Sequence, residues 1–124
     1  MKISVFYIIL FFSFLSCSES KEGRKDLLKP DYTIKEGASF TISLKSNPST
    51  GYSWQWVNKK LVNIIDTSKL EYHSLNKGLI GSGGEEIWTF KGLKPGIDSI
   101  ILKYARSWDT SSIVDTKMII VKVL

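Results

Sequence analysis

His73 is the only histidine among the 124 residues, and Cys17 is the only cysteine. Acid–base, nucleophilic or metal chemistry would have to be built around one of them. A Ser-His-Asp site needs two partners for His73, and no motif marks them. Glu85 and Glu86 are adjacent, so an extended chain points them to opposite faces, which makes a poor carboxylate pair. No spacing of His, Cys and carboxylates suits a metal ion. Gly78, Gly81, Gly83 and Gly84 form a dense glycine stretch. Without GxxxxGK[ST] and a following helix, it is no phosphate cradle. An enzyme is therefore not expected, nor is a cofactor or metal.

What remains is binding chemistry, concentrated in three polar stretches. The first is Asn47-Pro48-Ser49-Thr50-Gly51-Tyr52. Pro48 limits its own φ and biases Asn47 away from the helical region, while Gly51 permits a backbone angle closed to other residues. The second, residues 76–84, includes Gly81-Ser82-Gly83-Gly84. The third, residues 106–115, is polar but carries Arg106 and Trp108, two residue types in which binding energy concentrates.

The elements that would position these stretches read as strands. Phe40, Ile42 and Leu44 alternate with Thr41, Ser43 and Lys45 before the first stretch, and Tyr52, Trp54 and Trp56 alternate with polar residues after it. Period-two alternation predicts half-buried strands. Further strands are expected at Tyr32–Ile34, Glu85–Phe90, Ile97–Ala105 and Thr116–Leu124, with Val62–Asp66 a short apolar segment and Leu70–Ser74 a weakly alternating one. No amphipathic helix and no internal repeat is evident. Seven to eight short strands predict an all-β sandwich or barrel. In a Greek-key sandwich, connections after alternate strands gather at one end, so the three stretches should sit side by side.

Residues 1–16 differ from the rest. Met1-Lys2 opens a nearly continuous apolar run from Ile3 to Leu15, followed by Ser16-Cys17 and a polar segment. This has the pattern of a secretory leader, too short to span a bilayer, which takes about 20 residues. A cysteine directly after such a core resembles the lipid-attachment site of bacterial lipoproteins. That resemblance implies a leader over residues 1–16 cleaved before Cys17, lipidation at Cys17, and membrane attachment in the cell envelope, facing the periplasm or the cell surface. Residues 17–30 read as a flexible tether and residues 31–124 as one domain. The formal charge is +5, mildly basic, with no Lys/Arg run long enough to suggest nucleic acid. A monomer is expected.

Taken together, the three stretches resemble the signature of the chagasin-type inhibitors of papain-like cysteine peptidases. That signature is NPTTGY or a close relative, then GxGG, then RPW after a tyrosine-bearing strand. Asn47–Tyr52 matches the first, with Ser49 in place of a threonine. Gly81–Gly84 matches the second. Tyr104-Ala105-Arg106-Ser107-Trp108 matches the third, with Ser107 in place of the proline. The resemblance covers roughly Tyr32 to Leu124. It implies an immunoglobulin-like sandwich that occludes a peptidase cleft reversibly and competitively. It also implies that Thr50 lies nearest the catalytic cysteine and that Trp108 packs on an aromatic surface of the enzyme. The rival reading is an immunoglobulin-like adhesion or ligand-binding lipoprotein that reuses these loops without inhibiting.

Overall fold

The structure is a computed structural model that describes residues 29–76 and 78–124. The expected leader, Cys17 and nearly all of the tether lie outside the described residues. Seven strands follow in chain order: β1 Tyr32–Ile34, β2 Ser39–Ser46, β3 Tyr52–Trp56, β4 Ile65–Ser74, β5 Gly84–Gly92, β6 Gly96–Arg106 and β7 Asp115–Val123. They form a four-stranded sheet ordered β1-β7-β6-β3 and a three-stranded sheet ordered β2-β5-β4. All pairings are antiparallel except β1 with β7.

The alternation read in the sequence sets which residues enter the sandwich. β2 buries Phe40, Ile42, Leu44 and Ser46 and exposes the residues between them. β5 buries Glu86, Trp88 and Phe90 and leaves Ile87 and Thr89 half-exposed. Phe90, Ile100, Leu102, Val121 and Val123 are the most completely buried large side chains. Phe90 is the centre of an aromatic cluster, with Phe40 at 5.4 Å, Trp88 at 5.9 Å and Trp56 edge-on at 5.4 Å.

β4 departs from the sequence reading. Val62 and Ile64 are buried but precede the strand, and the two expected segments join into one ten-residue strand, Ile65–Ser74. Its register against β5 shifts between Thr67 and Lys69. One extra residue at that point moves the alternation to the other face, which is why the pattern looks broken in the sequence. An irregular, charged edge strand also resists pairing with other chains. As expected, Glu85 and Glu86 point to opposite faces, with Glu85 half-exposed and Glu86 buried.

The buried Glu86 has a structural task. β3 is an edge strand, and the Trp54 backbone N–H donates to Glu86 Oε2 at 3.1 Å. The Trp54 indole Nε1 donates to the Lys45 carbonyl at 2.9 Å. One residue of β3 is therefore bonded to both β2 and β5 of the opposite sheet. Glu86→Ala would leave the Trp54 N–H buried and unpaired, a loss of about 1–3 kcal/mol. Urea unfolding followed by tryptophan fluorescence should show that loss, with the slope unchanged.

Candidate binding site

The three connections at residues 47–51, 75–83 and 107–114 follow β2, β4 and β6, and they meet at one end of the sandwich. Asn47 links two of them. Its side-chain Nδ2 donates to the Gly81 carbonyl at 3.2 Å. Its own carbonyl accepts from Thr50 N at 3.1 Å and Thr50 Oγ1 at 2.6 Å, and its Oδ1 accepts from Ser49 Oγ at 2.5 Å. These bonds close a 3-10 turn over Pro48–Thr50, with proline at its start where the missing N–H costs nothing.

Gly51 ends that turn at φ +82 and donates its N–H to the Pro48 carbonyl. Two constraints keep it a glycine. A side chain would be strained at that φ, and a Cβ would lie 2.5 Å from Trp108 Cη2. The indole of Trp108 thus rests edge-on against the bare Gly51 backbone while 72% of the residue stays exposed. Trp108 belongs to the loop cluster and presents most of its ring outward. It does not fold back into the sandwich.

Arg106 joins the third loop to the first. Its Nε donates to the Thr50 carbonyl at 3.3 Å, and its guanidinium carbon sits 4.8 Å from the Tyr52 ring centroid. Tyr52 lies 5.4 Å from Tyr104, and Tyr104 stacks on Trp54 at 5.2 Å. A column of four side chains runs from the surface cation to the buried Trp54 beneath the first loop. Tyr104 also accepts the Asn47 backbone N–H at its hydroxyl, at 2.8 Å.

The sequence-chosen residues divide into exposed and supporting groups. Pro48, Ser49, Thr50, Gly81 and Trp108 are exposed, while Asn47, Gly51, Ser82 and Gly83 are half-buried between them. Tyr52 and Arg106 are half-buried supports. Gly84 belongs to neither group. It is buried in β5, and a Cβ there would strike the His73 carbonyl and the Tyr72 hydroxyl, so its glycine serves internal packing. Tyr104, which the third motif includes, supports the first loop, a role its place in the motif does not specify. Three contributors escaped the sequence reading. Leu79 and Ile80 expose an apolar tip beside the glycines. Asp109 caps a second 3-10 turn, Thr110–Ser112, by accepting from Ser111 N at 2.9 Å.

A largely antiparallel two-sheet sandwich that gathers its unusual residues on three loops at one end defines an immunoglobulin-like, loop-presenting binding protein. Residues 33–123 match the chagasin family peptidase inhibitor I42 pattern, and the chain belongs to that family. It is a peptidase inhibitor and not an enzyme. Amoebiasin-1 of Entamoeba histolytica is 33% identical over 76 residues, which cover 61% of this chain and 72% of that protein. The crystal structure of the cysteine protease inhibitor EhICP2 from Entamoeba histolytica has a TM-score of 0.59 at 21% identity, covering 77% of this chain and 100% of that one. The solution structure of Amebosin has a TM-score of 0.54 at 30% identity, covering 73% and 83%. Family membership favours inhibition over the adhesion reading.

The third loop carries a titratable cap. Hydrogen bonds from the Ser111 hydroxyl, and then from its amide, hold the Asp109 carboxyl below the ordinary aspartate value of 3.8, with the Arg106 charge adding a smaller effect. A carboxyl lowered on folding contributes stability that is complete above the unfolded value and is lost as pH falls through the folded one. Acidification below 3.8 should therefore release the cap, seen by NMR as a shift of the Ser111 amide resonance. Asp109→Ala should show no such inflection.

Proposed function

We propose that the three loops close the active-site cleft of a papain-like cysteine peptidase, reversibly and in competition with substrate. The observation that carries this reading is the meeting of three separate motifs: Asn47 bonds to Gly81, Arg106 bonds to Thr50, and Trp108 lies on Gly51. The names of the relatives fit it, since EhICP2 is described as a cysteine protease inhibitor.

In this reading the tip of the first loop enters the cleft with Thr50 nearest the catalytic thiol, since Pro48, Ser49 and Thr50 are exposed while Trp108 covers one side of Gly51. The internal bonds of the Pro48–Thr50 turn order the loop before binding and reduce the entropy lost on association. A closed turn also presents no extended peptide to the nucleophile, so it resists cleavage. The second loop approaches through the main chain of Gly81, Ser82 and Gly83 and through the Leu79-Ile80 tip. Trp108 covers an aromatic surface of the enzyme, held in place by Gly51. Such an interface would bury about 800 Å² on each partner.

The membrane attachment expected from the sequence is proposed on the same terms. A lipid on Cys17 would hold the inhibitor at the cell envelope, with the residues before β1 as the spacer. Metabolic labelling with palmitate tests this. A labelled, membrane-bound chain is expected, with Cys17→Ser unlabelled and soluble; an unlabelled native chain would sink it.

Inhibition is tested by titrating papain with purified residues 18–124. The apparent inhibition constant should rise linearly with substrate concentration. Trp108→Ala should weaken inhibition by about 2 kcal/mol, roughly thirtyfold. Gly51→Ala should weaken it further by displacing Trp108 and straining the turn together. A folded native chain that leaves papain and related peptidases fully active would overturn the reading.

A further inference from the structure

The outer faces of the two sheets differ in chemistry. On the three-stranded sheet, Lys45 stands opposite Glu85, and Lys69 is paired with Glu71 at 2.8 Å. That is the mixed charge of a solvated face. On the four-stranded sheet, Ile100 and Leu102 of β6 and Ile119 and Val121 of β7 are buried, so Ile101, Lys103, Met118, Ile120 and Lys122 point outward. Ile101 pairs directly with Met118, and the Val57 N–H, just past β3, donates to the Ile101 carbonyl at 3.0 Å. An apolar row therefore crosses this face, with Val57 50% and Met118 62% exposed.

The charges beside that row have one sign. Lys103 follows Ile101 in the outward row of β6, Lys122 follows Ile120 in that of β7, and neither outward row holds a carboxylate. At the margin, the Asp31 carboxylate is taken up by the Ile120 N–H, which donates to it at 2.8 Å. Lysine stems lie along apolar surface while their ammonium heads stay in water. A second copy of this face would bring lysines toward lysines, whereas an anionic partner complements them. The chain also enters the sandwich at this sheet. The Asp31 N–H donates to the Ile120 carbonyl at 2.8 Å. Cys17 stands fourteen positions before Asp31, a reach of at most about 50 Å.

We infer that the outer face of the four-stranded sheet rests on an anionic lipid surface, with Val57, Ile101, Met118 and Ile120 at the headgroup boundary and Lys103 and Lys122 on the headgroup charges. The inference draws on the envelope location proposed for Cys17 and adds a second, non-covalent contact to it. The two contacts reinforce each other, because an anchor near this sheet raises the local concentration of lipid beside the face. The face is a side of the sandwich, not its loop end. Lipid contact therefore leaves the three loops uncovered, and an inhibitor held this way stays able to meet its peptidase.

The test uses residues 18–124, which carry no cysteine and so no lipid, with vesicles of equal parts phosphatidylcholine and phosphatidylglycerol. Cosedimentation should show binding to these and little to pure phosphatidylcholine. Lys103→Gln combined with Lys122→Gln should weaken binding about thirtyfold, from about fivefold for each lysine near an anionic surface. Lys45→Gln combined with Lys91→Gln, on the other sheet, changes the net charge equally and should stay within about threefold of native. Met118→Ser should weaken binding about fivefold at an unchanged melting temperature, since that side chain is exposed. A nitrobenzoxadiazole label on Met118→Cys should shift to the blue when vesicles are added, and one on Ile87→Cys, on the other sheet, should not. Absent vesicle binding would overturn the inference, and so would equal loss from the two lysine pairs, which leaves only diffuse attraction. A free chain that sediments as a dimer, dispersed by Met118→Ser, would assign the face to a second copy and overturn it too. Papain inhibition weakened by the Lys103 and Lys122 changes would assign it to the peptidase, with the same consequence. Palmitate labelling of the native chain is read separately, so a missing lipid and a face that does not bind lipid are told apart.

Discussion

β2 and β3 lie in different sheets, yet only the five residues between Ser46 and Tyr52 join them. The first loop is therefore also a seam of the sandwich, and the bonds that hold the seam position the loop. Trp54 does most of this. Its amide reaches Glu86 and its indole reaches the Lys45 carbonyl, which fixes the middle of β3 against both β2 and β5. Above it, Tyr104 and Tyr52 continue the stack to Arg106, whose guanidinium returns to the Thr50 carbonyl. The tip that would enter an enzyme is thus connected to the buried core through aromatic contacts and hydrogen bonds. A loop supported in this way has little conformational freedom left to lose on association.

The two special features of Gly51 depend on each other. A left-handed residue is needed to end the 3-10 turn, and glycine supplies it without steric cost. The same missing side chain opens the surface on which Trp108 rests. Trp108 in turn comes from a loop held by its own capped turn, since Ser112 Oγ accepts the Arg106 N–H at 2.8 Å and donates to the Asp109 carbonyl at 2.6 Å. Ser107, standing where the resemblance places a proline, leaves this loop without that residue's restriction of φ. The hydroxyl bonds around Ser112 and Asp109 supply local order by another route.

Much of this was legible in the residue order, because period-two alternation reports directly which side chains face inward. β2, β3 and β5 carry that pattern, whereas β6, with Ile100-Ile101-Leu102 in succession, reads as a strand from its β-branched and aromatic content; connections after alternate strands of a Greek-key sandwich gather at one end. β4 was less legible, because one extra residue near Ser68 inverts the pattern and divides a ten-residue strand into two apparent pieces. The loop motifs pointed to the correct end of the sandwich, but not to the division of labour within it. Gly83 and Gly84 read alike in the sequence. A Cβ on Gly83 would make only ordinary contacts, the nearest at 3.6 Å, whereas one on Gly84 would collide with the strand beside it. The role of Tyr104 was hidden for a similar reason. The third motif includes it, but only the structure shows its hydroxyl accepting the Asn47 N–H at the base of the first loop.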